Sequence, residues 1–391
     1  MKKALILCAS YNDIGCIYAL KKLGYYVIAT GGIQGQMGEV LCDEYIQADY
    51  SDKELVLEIA KENKIDNIIQ CCNDFGVYSA AYTAEKLGLP GYDSYETTLI
   101  LHNKDRFKEF AREHKLLSPI SVPFKDIDNA KEHLNHTKYP IIVKPVDCSA
   151  GNGIHKATNK NEAIKALELA FQYSRSKRIV IEPYIEGKQY GFCTFLVDKK
   201  VVAYNTLNEY SIVNPYRVDM VTHPCDIFEE VKGVLTEQIE KIAQILDLKD
   251  GIFHLQFIYD GEKPQIIEVM RRTMGNRHFV AANALTGIDW EYWETRAKCG
   301  LSCRDLPKNW QEGFYACKVI LSERNGLINN IDDLSIYDKY LFAQYNIRGV
   351  GDMISCYYAQ PVKILYLQFA TRQEMEDVLV KNYRNDFVTV S

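Results

Sequence analysis

Apolar residues in the first hundred positions come in short runs separated by stretches with helical spacing. Ala4 to Cys8, Tyr25 to Ala29 and Asn67 to Gln70 read as buried strands, and Ile14 to Leu23 and Lys53 to Asn63 carry apolar positions three and four apart. This alternation predicts a parallel α/β lobe over residues 1–100. Met1-Lys2-Lys3 ahead of an apolar run has the outline of an export signal, but Ser10, Tyr11, Asn12 and Asp13 interrupt the run at once, so it is read as a first strand.

From Asn103 the pattern shifts to longer amphipathic helices, Lys104 to His114 and Asp128 to His136, and then to the strand Ile141-Ile142-Val143 closed by Lys144-Pro145. A helix over Asn161 to Tyr173 leads to the strand Arg178 to Ile181. Hairpins are expected from Tyr190 to Val197 with Lys200 to Leu207, and from Gly251 to Tyr259 with Pro264 to Met270 around the turn Asp260-Gly261-Glu262-Lys263. Phe314 to Leu321, Gly326 to Ile331 and Asn346 to Val350 read as strands of a small C-terminal lobe. The division that follows is 1–100, 101–305 with a subdomain at about 118–185, and 306–391.

Composition narrows the function classes. With 47% hydrophobic and 25% charged residues and no unbroken apolar stretch of membrane-spanning length, the chain is expected to be globular and away from membranes. A formal net charge of −6 and the lack of a long basic run argue against a nucleic-acid partner. Twelve scattered cysteines suit a reducing cytoplasm rather than a disulfide framework. Cys299 and Cys303 have no second pair nearby to complete a zinc site. The turn after the first strand holds Gly15 alone where a dinucleotide fingerprint needs three glycines, which excludes a nicotinamide dehydrogenase.

The remaining candidates concern anions. Lys144 sits at a strand end, and Ser149-Ala150-Gly151-Asn152-Gly153-Ile154 is a small-residue loop whose N–H groups can approach a phosphate, although Asn-Gly also fits a plain hairpin turn. Glu182-Pro183-Tyr184-Ile185-Glu186-Gly187 can offer backbone groups and apolar cover to a planar ring, or serve as a connector. Gln256 and Glu268 can face each other across antiparallel strands, in a metal site or in a structural contact.

The ordered set of Asn103-Lys104, the strand ending at Lys144, the Gly151 loop, the Glu182 hinge and the Glu268 to Arg272 segment resembles the ATP-grasp superfamily. It looks like the branch of biotin carboxylase and the L-amino acid ligases, which carry a small C-terminal β lobe. The resemblance implies an α/β fold in which ATP lies between two sheets, and a ligase that activates a small-molecule carboxylate as an acyl phosphate for attack by an amine. It implies ATP and Mg²⁺ as cofactors, with Lys104 and Lys144 on the phosphates and Ser149, Gly151, Asn152 and Gly153 in the lid. Glu182, Tyr184 and Ile185 would lie at adenine, Glu186 or Gln189 at ribose, and Lys144 and Arg272 at the reacting groups. The family's metal pattern of two glutamates, an asparagine and an arginine reads here Gln256, Glu268, Met270, Arg272. That leaves Glu268 and Gln256 as metal ligands, because a thioether is too soft for magnesium. Asn276 is the candidate replacement for the missing amide. Arg272 and Arg271 can also serve as partners of structural carboxylates. Tyr210, Tyr216, Arg217 and His223 lie in a stretch where such ligases vary. A homodimer is a common assembly among such proteins. Two other readings stay open, a regulatory ATP-binding protein without turnover and a carboxylase working through carboxyphosphate.

Overall fold

A computed structural model of the chain describes residues 1–70, 72–148, 151–307 and 313–391. The N-terminal strands β1 (Lys3–Leu7), β2 (Tyr26–Gly31), β3 (Glu44–Gln47) and β4 (Asn67–Ile69) form a parallel sheet in the order β3-β2-β1-β4. The expected α/β lobe is present, and β3 is an addition whose half-exposed Glu-Tyr-Ile-Gln lacked an apolar run. Helices α1 (Ile14–Lys22), α2 (Lys53–Glu62) and α3 (Asp74–Leu87) cover the sheet. Asp52 starts α2 by accepting the N–H groups of Glu54 and Leu55, and Asn73 starts α3 through Phe75 N–H.

Helices α4 (Tyr95–His102) and α5 (Lys104–Glu113) lead into a four-stranded antiparallel sheet. Its strands are β5 (Val122–Phe124), β6 (Ile141–Pro145), β7 (His155–Ala157) and β8 (Ile179–Pro183), ordered β5-β8-β6-β7, with α6 (Ile127–His133) and α7 (Lys160–Tyr173) packed on it. The helix expected over 128–136 ends as a 3-10 turn at Leu134–His136.

The second sheet is the spine of the molecule. It comprises β9 (Lys188–Val197), β10 (Lys200–Tyr210), β11 (Met220–His223), β12 (Gly251–Tyr259), β13 (Pro264–Met270) and β14 (Phe314–Ile320), joined by two later strands. Numbering onward, β15 (Gly326–Ile331), β16 (Leu341–Asn346), β17 (Met353–Ile354), β18 (Lys363–Phe369) and β19 (Val388–Val390) complete the chain. The order β13-β12-β9-β10-β11-β14-β18-β16 makes eight antiparallel strands, and β17-β15-β19 forms a separate small sheet. The strand expected over 346–350 does not form, because β16 ends at Asn346 and the chain turns through Gly349 and Gly351.

One face of the spine packs Phe192, Phe253 and Phe257 against α5 and α8 (Phe228–Ile245), whose Val231, Leu235, Ile239 and Ile242 recur at helical spacing. The other face packs Phe195 and Cys193 against α9 (Phe279–Thr286) and α10 (Trp290–Lys298), with Phe279 stacked on Trp290. The hairpin register pairs Gln256 directly with Glu268. Every described cysteine is a free thiol, and burial pushes those of Cys299 and Cys303 up to about 11 and 12, which leaves them unreactive packing groups.

Candidate active site

A cavity of about 940 Å³ opens between the lid sheet β5–β8, the edge half of the spine, the loop after β1 and the C-terminal segments. Lys104, Lys144, Gly151, Asn152, Glu182, Tyr184, Ile185, Gln189, Gln256, Glu268 and Arg272 all line it. Residues far apart in sequence thus share one wall. Ser149 falls outside the described residues.

The two lysines are already paired. Lys104, at the start of α5, donates to Glu268 Oε1 at 2.8 Å and to the Cys148 carbonyl at 2.9 Å. Burial works against its charge, but Glu268 outweighs it and holds the Lys104 pKa above its usual value. Lys144, at the end of β6, donates to Glu182 Oε2 at 2.9 Å, and Lys108 approaches the other oxygen at 3.6 Å. Glu182 is 1% exposed; burial opposes its charge, and the two ammonium groups lower its pKa nonetheless. Lys108, which the sequence reading did not single out, is pushed down to about 8, chiefly by burial.

The lid loop turns through Gly151 at φ +76°, a left-handed conformation that favours glycine, and a side chain there would collide with the Tyr216 carbonyl. Tyr216 also receives the Lys156 N–H at 2.8 Å, so the loop rests on the 211–217 segment. Gly153 does not reach the cavity wall, because its Cα packs against Pro145 and Tyr173. Glu186 is exposed and likewise off the wall, so of the two ribose candidates only Gln189 lines the cavity. The Tyr184 N–H is taken by the Pro140 carbonyl at 3.0 Å, while its ring carries Lys156 Nζ at 3.6 Å from the centroid. A ring bound here would meet the Tyr184 side chain rather than its amide.

Arg272 lines the cavity, but its Nε donates to Asp74 Oδ1 at 2.7 Å and its Nη1 to the Thr273 carbonyl at 3.2 Å. Arg271 is turned inward to Asp93 at 2.8 Å and to the carbonyls of Lys249, Gly251 and Ile252. Asn276 lies on the wall with φ 53°, and its Oδ1 accepts from the Tyr11 hydroxyl at 3.1 Å. Tyr216 and Arg217 reach the cavity, whereas Tyr210 and His223 do not.

Sequence reasoning missed Glu209. This buried carboxyl at the end of β10 accepts from Gln189 Nε2 and Gln256 Nε2, both at 2.7 Å, and lies 3.9 Å from His254 Nε2. Burial and, further off, the charge of Glu268 push it up to about 7, against the hydrogen bonds of the two amides. It occupies the space above Gly191, where a Cβ would come within 2.7 Å of Glu209 Oε1. Glycine in a strand interior signals such a close approach, and that was the available clue.

For a divalent cation the donor set is Glu268 with Gln256. With its NH₂ turned to Glu209, Gln256 has its carbonyl oxygen left to offer a hard metal, while Met270 offers only sulfur. Among the described residues no group of three or more His, Cys, Asp and Glu is gathered for a metal. The set therefore fits a magnesium ion completed by phosphate oxygens and water.

The sequence from 102 to 215, which supplies Lys104, Lys144, the lid loop and the hinge, matches the ATP-grasp (A) domain of phosphoribosylglycinamide synthetase. The chain carries an ATP-grasp domain. Structures similar to this chain include phosphoribosylglycinamide synthetase of Anaerococcus prevotii, with a TM-score of 0.77 at 20% identity over the full length of both. The L-amino acid ligase of Bacillus licheniformis superposes at 0.81 with 17% identity, covering 100% of this chain and 98% of that one. Among curated proteins, the carbamoyl phosphate synthase large chain of Clostridium acetobutylicum is 23% identical over 338 residues, which are 82% of this chain and 30% of that protein. The chain thus spans less than a third of the length of that relative. Among the described residues no helix is long and apolar enough to cross a membrane.

Proposed function

We propose that the chain is an ADP-forming ligase that joins a small-molecule carboxylate to an amine. The observation that carries this reading is the convergence on one cavity of Lys104, Lys144, the Gly151 loop, the Glu182–Ile185 hinge and the facing pair Gln256 and Glu268. Lys104 and Lys144 would hold phosphate oxygens, Tyr184 and Ile185 the adenine, Gln189 the ribose, and Glu268 with the Gln256 carbonyl a magnesium ion. Bound Mg²⁺-ATP would supply the phosphoryl group that converts the carboxylate to an acyl phosphate, with the cation offsetting phosphate charge. The protein's share is positioning and charge. Lys144 and the lid N–H groups would face spreading negative charge, Arg272 would steady the reacting end from its seat on Asp74, and the lid resting on Tyr216 would exclude water from the labile acyl phosphate. The free thiols suit a reducing compartment such as the cytoplasm.

Gln256 in place of a charged carboxylate and Met270 in place of a hard amide oxygen favour a second reading, a nucleotide-binding regulator without turnover. Phosphate release with Mg²⁺-ATP across a panel of carboxylates and amines decides between them, with Lys144→Ala and Glu268→Ala as controls. Release that requires one pair and disappears in both variants supports the ligase; ADP binding without release under any pair refutes it.

A further inference from the structure

Where the N-terminal turn meets the C-terminal segments, two guanidiniums, Arg217 and Arg348, face the cavity. The other arginines around it are neutralised by carboxylates: Arg272 by Asp74 at 2.7 Å, Arg271 by Asp93 at 2.8 Å and Arg277 by Glu291 at 2.9 Å. Arg217 and Arg348 are held differently. Arg217 Nη2 donates to the Ala359 carbonyl at 3.4 Å and Arg348 Nη1 to the Pro361 carbonyl at 2.7 Å. Among the described residues neither has a carboxylate within ion-pair distance. One short stretch, 359–361, therefore tethers both and brings them to the same part of the wall.

Two further observations describe their surroundings. Arg217, Asn276, Ala359 and Pro361 also border a small adjoining recess, together with Asp219, whose carboxylate accepts the Ile212 and Val213 N–H groups at 2.8 and 2.7 Å. The Tyr11 hydroxyl, bonded to Asn276 Oδ1 at 3.1 Å, is raised by burial, and the charges of Arg217 and Arg348 both pull it the other way. The acid nearest in sequence to Tyr11 does not serve as counter-ion. Asp13 Oδ2 accepts the Ser10 N–H at 3.0 Å and the Ser10 hydroxyl at 2.6 Å, and burial pushes its carboxyl up to about 6. Two half-buried guanidiniums with only carbonyl partners carry charge and N–H donors that a carboxylate or phosphate can match in their fork geometry.

We propose that Arg217 and Arg348 form a subsite for a second anionic group of the substrate, so that the carboxylate activated by this enzyme belongs to a dianionic small molecule, either a dicarboxylate or a phosphate-bearing carboxylic acid. The assignment rests on the ligase reading and narrows its substrate class. One anionic end is presented to the phosphoryl donor, and the other is clamped by the two arginines, which fixes the distance between them and rejects simple monocarboxylates.

The test is calorimetric and uses the whole chain with Mg²⁺-ADP. ADP affinity is measured first; an absence of ADP binding would sink the ligase reading and this inference with it. The Mg²⁺-ADP complex is then titrated with butyrate, with dicarboxylates from malonate to adipate, and with phosphoglycolate. One dianion of matching length should bind about tenfold or more tighter than butyrate, the scale of one charge-assisted contact. A best dicarboxylate or phosphoglycolate identifies which anion the subsite takes. Arg217→Gln and Arg348→Gln should each erase the preference while leaving ADP affinity unchanged, which also serves as the folding check. Arg217→Lys and Arg348→Lys should retain part of it, as a purely tethering role would not require. Equal affinity for butyrate and every dianion, or a preference that survives both glutamine variants, overturns the proposal.

Discussion

The contact between Arg272 and Asp74 bears on both the fold and the chemistry, and its energy can be worked from geometry. Arg272 Nε lies 2.7 Å from Asp74 Oδ1 with the side chains 10% and 13% exposed, and His102 Nδ1 lies 3.1 Å from the same oxygen. Burial works against the Asp74 charge, yet Arg272 and His102 outweigh it and hold the carboxyl well below the usual range. At an effective dielectric of about 20, 332/(20 × 2.7) gives about 6 kcal/mol of attraction before desolvation. Removing one partner of such a pair costs about 3–5 kcal/mol, because the other charge stays buried and unpaired. Arg272→Met is expected to lower the unfolding free energy by that amount, and Asp74→Asn by somewhat less because the amide keeps the shape. Much of each loss is the orphaned partner, so the double variant should fall short of the sum of the singles by about 2 kcal/mol. Urea unfolding at neutral pH measures all four proteins. Additivity within about 0.5 kcal/mol would refute the claim that these two groups form one unit. Since a depressed folded-state pKa gives stability that is present above the unfolded value, the wild type should lose this contribution as pH falls below about 4, and Asp74→Asn should not.

Asp13, raised to about 6 by burial, behaves in the opposite sense: its contribution is present below about 4 and lost as pH rises through about 6. The stability of the wild type relative to Asp13→Asn should therefore fall between pH 4 and pH 8, by up to about 3 kcal/mol from a rise of roughly two pH units at 1.36 kcal/mol each, and a flat difference in denaturant melts would contradict this. Gly191→Ala forces Glu209 away from a contact of 2.7 Å and should cost about 1–3 kcal/mol of stability by thermal or urea melts; a neutral outcome would show that Glu209 moves freely. Lys144→Met should weaken ADP binding by about tenfold to a hundredfold in calorimetry while Glu182 keeps Lys108 at 3.6 Å, and unchanged affinity would remove Lys144 from the phosphate site. Glu268→Gln should reduce the magnesium dependence of ADP affinity; an undiminished dependence would move the cation elsewhere.

Much of this fold was legible because buried strands and amphipathic helices leave periodic traces. The first three expected strands lie within a residue or two of those observed, and Gln256 and Glu268 meet as register partners because both hairpin strands were bounded by clear turn residues. The failures have physical causes. The edge strand Glu44–Gln47 pairs on one side only and stays half exposed, so it needs no apolar run. The helix Phe228–Ile245 is a different case, since Val231, Leu235, Ile239 and Ile242 do leave a helical trace among the glutamates and lysines of its solvent face. Asn346 to Val350 looked strand-like, but Gly349 and Gly351 make it a turn. At the site, residue type and order located the lysines, the hinge and Glu268. They could not show that Glu209 sits over Gly191 or that Asp74 claims Arg272, contacts between positions 18 and 198 apart, or that Gly153 and Glu186 lie off the wall, which depends on how the chain turns locally.

The ligand-free site is a set of satisfied charges, and that shapes how it can bind anything. Lys104 rests on Glu268 and Lys144 on Glu182, each at 2.9 Å or less, so neither ammonium waits bare for a phosphate. Bare cations in so enclosed a place would carry a desolvation cost with nothing to offset it, whereas paired ones are tolerated until a ligand replaces the partner. Glu268, 26% exposed on its side chain, is the more accessible partner; a cation bound there, as proposed, would draw it off and release Lys104 for phosphate. Glu182, its side chain 2% exposed and shared with Lys108, is held in place, so on the proposed reading Lys144 would reach a phosphate while still anchored. One lysine is thus held by a partly exposed carboxylate and the other by a buried one. On the proposed reading, nucleotide and divalent cation would be coupled through Glu268, and by the reciprocity of linkage each would strengthen the binding of the other.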